Sequence, residues 1–534
     1  MSHPHRGKFV TLALLGCALC AAAGAQSFSV QCPTATSLHP SGTASGAYTG
    51  PITRQVSIKQ DGGTSFLEPF VDNGGAVKCQ QVSGGDGYAT MADGTQTYLF
   101  GFGPLSGLGL ISSGQPGTQL ALDFNKPYTD GPNFLNGQPN PLFDLNPLTR
   151  NSNGAITDPA AIMNTGVMNA NMPAPTVAID EDDELFLTLT NVGMIMRPDL
   201  FEQHTIHFHG YPNASSFYDG VPDASVAINI GGSFTYYYLA PDAGTYFYHC
   251  HITPPEHLQM GMVGQIYVRP RQNRVKNGAS LFEALQWQQN DLRTACGPAD
   301  ILCSTPLPAS NTAMQENDPF SGIDARIPSG TPQKYAYNDG DGSTRYDVEY
   351  PIQIHGFDPN FHFAGMTFNP EGFSDMKDKY FLLNGRSYPD TANVTGNWDA
   401  SDNTSGSNAL YTQASDGLSR PSQPLPTLIT LKKGERALLR ISDLDVTEYQ
   451  TLASLGIPME VIALNARILR DQAGQNMYYQ TNSVTLAGGE SLDVILDSAN
   501  VPPGTYYLYT PQLDHLSNDA ENFGGLMTEV VVTN

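Results

Sequence analysis

The stretch His249-Cys250-His251-Ile252-Thr253-Pro254-Pro255-Glu256-His257-Leu258-Gln259-Met260-Gly261-Met262 concentrates one cysteine, three histidines and two methionines. A thiolate, imidazoles and a weak thioether are the donors of a blue-copper electron-transfer site. A further imidazole lies upstream, in His204-Thr205-Ile206-His207-Phe208-His209-Gly210. Six of the twelve histidines fall between 204 and 257, a density that isolated core histidines do not explain.

Strand geometry divides these donors. Successive side chains of a strand point to opposite faces. His249 and His251 then face one way and Cys250 the other, while His207 and His209 share a face. One group is His204, Cys250, His257 and Met262. The other is His207, His209, His249 and His251. Cys250, flanked by two imidazoles, bridges the two centres covalently and offers an electron path between them. Met262 fits the weak axial ligand that tunes potential, with Met260 as its rival. Zinc sites usually show paired cysteine spacing, which is missing here.

The elements that position these residues read as β-structure. Glycine (53) and proline (39) are plentiful, charged residues make up 14%, and short Tyr/Val/Phe/Thr runs lie between turns. Arg6, Lys8, the apolar run from Phe9 to Ala23 and the small residues Ala23-Gly24-Ala25 predict a signal peptide over 1–25 and an exported protein, periplasmic or extracellular. Leu14-Leu15-Gly16-Cys17 loosely resembles a lipoprotein cleavage box but would leave a very short apolar segment. No later stretch is long and apolar enough for a transmembrane segment. Without the signal region the net charge is 24 minus 51, or −27, which argues against nucleic-acid binding. If Cys250 is a ligand, Cys32, Cys79, Cys296 and Cys303 remain for two disulfides. Cys296–Cys303 closes a short local loop and Cys32–Cys79 follows.

Residues 26–90 read as an irregular N-terminal region and 91–270 as a copper-binding domain with an insertion over 103–172. Met163, Met168 and Met172 in that insertion read as loosely packed surface residues. Asp180-Glu181-Asp182-Asp183-Glu184 reads as a solvated turn. Residues 271–345 form an interdomain connection with a short helix near Leu281–Trp287, and 346–534 a second β-rich domain. Gly244-Thr245-Tyr246-Phe247-Tyr248 is echoed by Gly504-Thr505-Tyr506-Tyr507-Leu508. Each precedes a loop, a methionine (Met262, Met527) and a final apolar strand, which predicts two copies of one sandwich. Cys250 then corresponds to Thr510, and His249 and His251 to Tyr509 and Pro511, so the second copy lacks the thiolate.

His204-x-x-His207-x-His209-Gly210 resembles the His-x-x-His-x-His-Gly block of the multicopper oxidase family. His249-Cys250-His251-Ile252 with His257 and Met262 resembles its cysteine-containing signature. Asp219-Gly220-Val221-Pro222 and Gly231-Gly232-Ser233-Phe234-Thr235-Tyr236 are similar to its first-domain sequences, and Met172-Pro173-Ala174-Pro175-Thr176 to its opening strand. Phe381-Leu382-Leu383-Asn384-Gly385-Arg386 and Leu486-Ala487-Gly488-Gly489-Glu490 look like its middle domain. The resemblance implies an all-β chain of tandem cupredoxin-like Greek-key sandwiches. It implies type 1 copper on His204, Cys250, His257 and Met262, and half of a type 2/type 3 copper cluster on His207, His209, His249 and His251. Oxygen would be reduced there with electrons from a metal ion, a phenol or a redox protein.

The chain departs from that pattern. Two extra residues separate Cys250 from His257, and only two His-x-His pairs exist where a full cluster has four. His39, His355, His362 and His515 lie in no pair and read as structural. Three functions remain open: a copper oxidase whose cluster neighbouring subunits complete, a periplasmic copper-binding or electron-transfer protein without oxidase activity, and a nitrite-reductase-like copper enzyme, which would form a homotrimer. Asp219 and Glu256 are candidate proton carriers that could equally cap turns, so no catalytic residue is assigned.

Overall fold

The computed structural model describes residues 30–43, 75–107, 115–125, 166–275, 280–285, 306–308, 333–392 and 425–534, apart from short breaks at 92–94, 211–214, 241, 368, 370–371, 472 and 519–521, together with isolated short pieces elsewhere. The signal region, Cys296, Cys303, Met163 and most of the 103–172 and 271–345 segments lie outside the described residues.

The strands that build the first sandwich are β1 (Val77–Thr90), β2 (Gln96–Pro104), β3 (Ala174–Asp180), β4 (Glu184–Gly193), β5 (His207–His209), β6 (Ser233–Leu239), β7 (Gly244–His249) and β8 (Val263–Arg269), with a short helix, α1 (Pro254–Gln259), between the last two. They form one sheet in the order β5-β7-β8-β3 and another in the order β6-β4-β1-β2. The second sandwich comprises β9 (Val348–Phe357), α2 (Pro359–Met366), β10 (Tyr380–Leu383), β11 (Ile429–Lys432), β12 (Arg436–Asp443), β13 (Gln450–Leu455), β14 (Met459–Leu464), β15 (Ser483–Leu486), β16 (Glu490–Asp497), β17 (Gly504–Tyr509) and β18 (Met527–Thr533). Its sheets run β10-β9-β12-β16-β14 and β11-β18-β17-β13-β15. The expected all-β tandem sandwiches are present.

Burial follows from position. β11 and β15 alternate buried and exposed residues, as half-solvated strands do. All six residues of β7 are buried, because it packs on the first core with one face and towards the second sandwich with the other. Phe247 and Val263 meet Phe357, Leu382 and Leu444 in a core between the sandwiches. Beside it, Glu349 accepts from Arg269 Nε (2.9 Å) and Arg440 Nε (3.1 Å), one arginine from each sandwich. Burial raises the Glu349 carboxyl, but the two guanidinium groups win and hold it at about 2.

Three expectations give way to the structure. Val77–Thr90, assigned to an irregular region, is a strand between β4 and β2, running parallel to β4. The acidic run is not a solvated turn: Glu181, Asp182, Asp183 and Glu184 are buried. Arg271 and Arg274 pair with Asp182, and His39 Nδ1 lies 2.6 Å from Glu184. Patterning cannot show that partners about ninety residues later neutralise the run. Met172 is fully buried in the core between the sandwiches. The Cys32–Cys79 disulfide is present and ties the N-terminal segment to β1.

The internal echo is a repeat in register. β7 pairs with β8 from Gly244↔Val268 to His249↔Val263, and β17 with β18 from Gly504↔Val532 to Tyr509↔Met527. Each closing strand then runs parallel to an opening strand, β3 or β11. The register places Leu526, not Met527, at the position of Met262, since Cys250 N–H donates to Met262 O (3.1 Å) as Thr510 N–H donates to Leu526 O (3.0 Å).

Candidate metal centres

β7 ends at His249, so Cys250 is the first residue past the strand. Its backbone remains in register with Met262, and Met262 N–H donates to His257 O (2.8 Å). The two additional residues of the loop are absorbed in α1, which opens with Pro254 and Pro255 after a left-handed Thr253 (φ 37°). Proline suits the first helical turn, where its missing N–H is not needed. His204 is held by a single antiparallel bridge to Ile228, with hydrogen bonds of 3.1 and 2.9 Å. Gly84 packs under its ring, and a Cβ there would stand 2.9 Å from His204 Cδ2.

These elements bring His204, Cys250 and His257 together, with one donor atom from each within 4.8 Å of the others. All three are completely buried. His257 Nδ1 is 3.2 Å from Cys250 Sγ, and Thr205 N–H donates to the same sulfur at 3.4 Å. Met262 and its rival Met260 are both buried in the core that holds Cys250. Among the described residues, both nitrogens of His204 and Nε2 of His257 have no hydrogen-bond partner. Buried polar atoms rarely stay unsatisfied, and a soft cation between the thiolate and the two rings would satisfy one nitrogen of His204, with His257 turning Nδ1 to the sulfur side. The donor set therefore fits copper.

The electrostatics point the same way. Burial alone would raise the Cys250 thiol, but His257 and His204 hold it well below its ordinary range. Burial opposes charge on His257, yet the Cys250 sulfur lifts it to about 10. Sequence reasoning missed Glu202, whose Oε2 lies 3.7 Å from His257 Nε2 and whose carboxyl is pulled down chiefly by that histidine.

The second group assembles on the neighbouring strands. His207 and His249 are direct cross-strand partners of β5 and β7. Donor atoms of His207, His209 and His249 lie within 4.8 Å of one another. The His251 ring is 5.1 Å from that of His207 and 5.6 Å from that of His249. His207 Nδ1 is held by Asp219 O (2.7 Å) and His249 Nδ1 by Cys250 O (2.8 Å), which leaves their Nε2 atoms for a metal. Burial lowers His249 to about 3 and also lowers His209, so both stay neutral, the form that binds metal. His39, His355, His362 and His515 join neither group. His362, on α2, clamps the ligand loop instead, with Nε2 3.0 Å from Gln259 O and Nδ1 against Tyr98 O.

The four imidazoles face a cleft of about 580 Å³ between the sandwiches. Its far wall is Leu444, Asp445, Val446, Thr447, Glu448, Tyr449, Ala487, Gly488 and Gly489 of the second sandwich, with no histidine among them.

Residues 154–273 match the family model described as multicopper oxidase. Over this segment the chain is similar to multicopper oxidases. All eight candidate ligands lie within it. Over 109 residues the chain is 35% identical to a laccase of Aspergillus fumigatus, an alignment covering 20% of this chain and 17% of that protein. It is 33% identical over 113 residues to the L-ascorbate oxidase of Cucumis sativus, covering 20% and 17% respectively. The chain thus spans less than a fifth of the length of these curated relatives. Among solved structures, the blue copper oxidase of Nitrosomonas europaea is similar at 17% identity and a TM-score of 0.46, over 85% of each chain. The matched segment begins inside the insertion and ends just past β8, so it takes in β5, β7 and α1 but not β1 or β2.

Proposed function

We propose that this chain is an exported copper-dependent oxidase. His204, Cys250, His257 and Met262 hold a type 1 copper, and His207, His209, His249 and His251 hold a second copper centre that reduces dioxygen. The observation that carries this reading is the division at Cys250: its sulfur lies with His204 and His257, while the two residues bonded to it in sequence lie with His207.

Bound copper supplies one-electron redox chemistry that these side chains lack. The residues fix where it happens. Thr205 N–H steadies the thiolate sulfur. Asp219 O and Cys250 O fix the ring orientation of His207 and His249. The backbone of Cys250 joins the two groups covalently, because His249 and His251 are its chain neighbours. Donors that give up single electrons, such as phenols or metal ions, fit a site that takes one electron at a time.

The absence of any second-sandwich histidine from the described cleft wall favours one further reading, an electron carrier whose second histidine group is only partly loaded. Metal analysis with visible spectroscopy separates the two. The oxidase holds several coppers per chain, shows an intense thiolate–copper band, and loses that band to a reductant and regains it in dioxygen. A protein with one copper per chain that is not reoxidised by dioxygen is the carrier. A metal-replete protein with no thiolate–copper band refutes both.

A further inference from the structure

The second sandwich contains a copy of the first candidate centre with different side chains. β13 lies beside β17 as β5 lies beside β7, with Ala453↔Tyr509 matching His207↔His249. Counting back along the strand, Gln450 stands in the place of His204, and Glu448 in the place of Glu202. Thr510 replaces Cys250 and Leu526 replaces Met262. His515, whose carbonyl accepts from Leu526 N–H as that of His257 accepts from Met262 N–H, stands in the place of His257. The thiolate, one imidazole and the thioether are gone, while a histidine and its carboxylate remain.

Hydrogen-bond accounting shows what the remaining pair holds. Gln450 Nε2 donates to Asp445 Oδ2 (2.5 Å), which turns Gln450 Oε1 towards His515 Nδ1 at 2.9 Å. An amide oxygen only accepts, so Nδ1 carries a hydrogen. His515 Nε2 then faces Glu448 Oε2 at 2.9 Å. A bare nitrogen lone pair and a bare carboxylate would repel at that distance, so one proton lies between them. Buried His515 stacks on Phe381, with 4.0 Å between centroids and 9° between planes, and keeps its orientation. The Glu448 side chain is 35% exposed and lines the cleft opposite His207, His209, His249 and His251. On the other side Asp514, 84% exposed, places Oδ2 3.9 Å from His515 Nε2 and opens the pair to solvent. Asp445 and Tyr449 on its own loop and the four imidazoles across the cleft are the other titratable groups around Glu448. Asp378, hydrogen-bonded by Thr447, lies behind that loop.

We propose that Glu448 and His515 form the proton donor of this cleft, a remodelled metal-site position that feeds the histidine face of the first sandwich. This rests on the reading that dioxygen is reduced at that face. Each dioxygen taking four electrons from the reducing substrate needs four protons to leave as two waters. For each proton, the shared proton leaves Glu448 Oε2 for reduced oxygen, solvent beside Asp514 supplies a new proton to the freed His515 Nε2, and that proton moves on to Glu448 Oε2 and restores the pair.

The test is reoxidation of chemically reduced holoprotein by dioxygen, across pH. Glu448→Gln should slow reoxidation roughly a hundredfold, while the thiolate–copper band, copper content and anaerobic reduction stay as in the wild type. Glu448→Asp should recover part of the rate with a displaced pH profile. In metal-free protein, the NMR signals of the His515 ring nitrogens should shift in Glu448→Gln at fixed pH, since the carboxylate that shares the Nε2 proton is gone. A Glu448→Gln protein that reoxidises at the wild-type rate with the wild-type pH profile, or unmoved His515 ring signals, overturns the proposal. A blue wild-type protein that does not react with dioxygen overturns the functional reading itself, which a turnover-competent wild type with an equally competent variant does not.

Discussion

The two hairpins β7–β8 and β17–β18 have the same register, the same parallel closing strand and the same backbone hydrogen bonds across the loop. One carries Cys250, His257 and Met262 beside His204 of the neighbouring segment, and the other Thr510, His515 and Leu526 beside Gln450 of β13. Each keeps a carboxylate beyond its histidine, Glu202 at 3.7 Å and Glu448 at 2.9 Å. The sandwich is thus a carrier of positions, and a few side chains at its loop end decide what each position does. In the first sandwich the histidine has a sulfur on one side and a partly exposed carboxylate on the other. In the second an amide takes the place of His204 and accepts from the ring, and the ring is spent on holding a proton.

The largest expected effect comes from erasing that difference in the first hairpin. Cys250→Ser makes the centre resemble its Thr510 counterpart and should abolish the thiolate–copper band completely, with the far-ultraviolet spectrum unchanged because each sandwich has its own core. A persisting band would place the thiolate ligand elsewhere. The reverse exchange is harder: Gln450→His with Thr510→Cys adds an imidazole and a thiolate beside the imidazole of His515. It should add one copper per chain and a second, weaker thiolate–copper band. If the double variant folds and takes up no further copper, the two positions are equivalent in backbone only.

Much of this was legible in the residues. The donor types, the division at Cys250 and the tandem repeat follow from strand periodicity and from histidine density, both local signals. What stayed hidden depends on distant partners. Val77–Thr90 is rich in glycine and polar residues, and only its place between β2 and β4 makes it a strand. Asp182 reads as a surface charge until Arg271 and Arg274 come to it. His515 reads as an isolated histidine. Its equivalence to His257 became visible only from the hydrogen bond to Leu526, because the second loop is four residues longer and carries no cysteine. The Met527 echo was off by one for the same reason: a one-residue slip changes the face a side chain takes.

The contact between the sandwiches gives a smaller and more general effect. Glu349 is half-buried, its side chain 14% exposed, between Arg269 and Arg440, so Glu349→Gln leaves two guanidinium groups short of charge and should cost about 3 kcal/mol in chemical denaturation. The sign with pH follows from its depressed carboxyl. The unfolded glutamate takes up a proton near its ordinary value of 4.5 and the folded one at about 2. The stabilisation is complete above 4.5 and is lost as pH falls through about 2. Wild-type and Glu349→Gln stabilities should therefore converge over that window. A constant difference would mean that packing, not charge, accounts for the loss.

The smallest effect tests the finest point of the comparison, the axial position. Register assigns Met262 and Leu526 to one place, so Met262→Leu gives the first centre the second hairpin's residue while keeping its thiolate and both imidazoles. Leucine is close in volume to methionine, and such swaps in a core usually cost under about 1.5 kcal/mol. The blue band should survive with a modest shift. A thioether donates weakly to the oxidised metal, so its removal should raise the reduction potential. Redox titration of the band checks the direction. Met260 is buried in the same core, and Met260→Leu should leave the potential where it is, because Met260 follows α1 and pairs through its carbonyl with Phe100 rather than with Cys250. If the potential moves with Met260 and not with Met262, the axial donor is the other methionine, and the equivalence of the two hairpins stops one residue short of the metal.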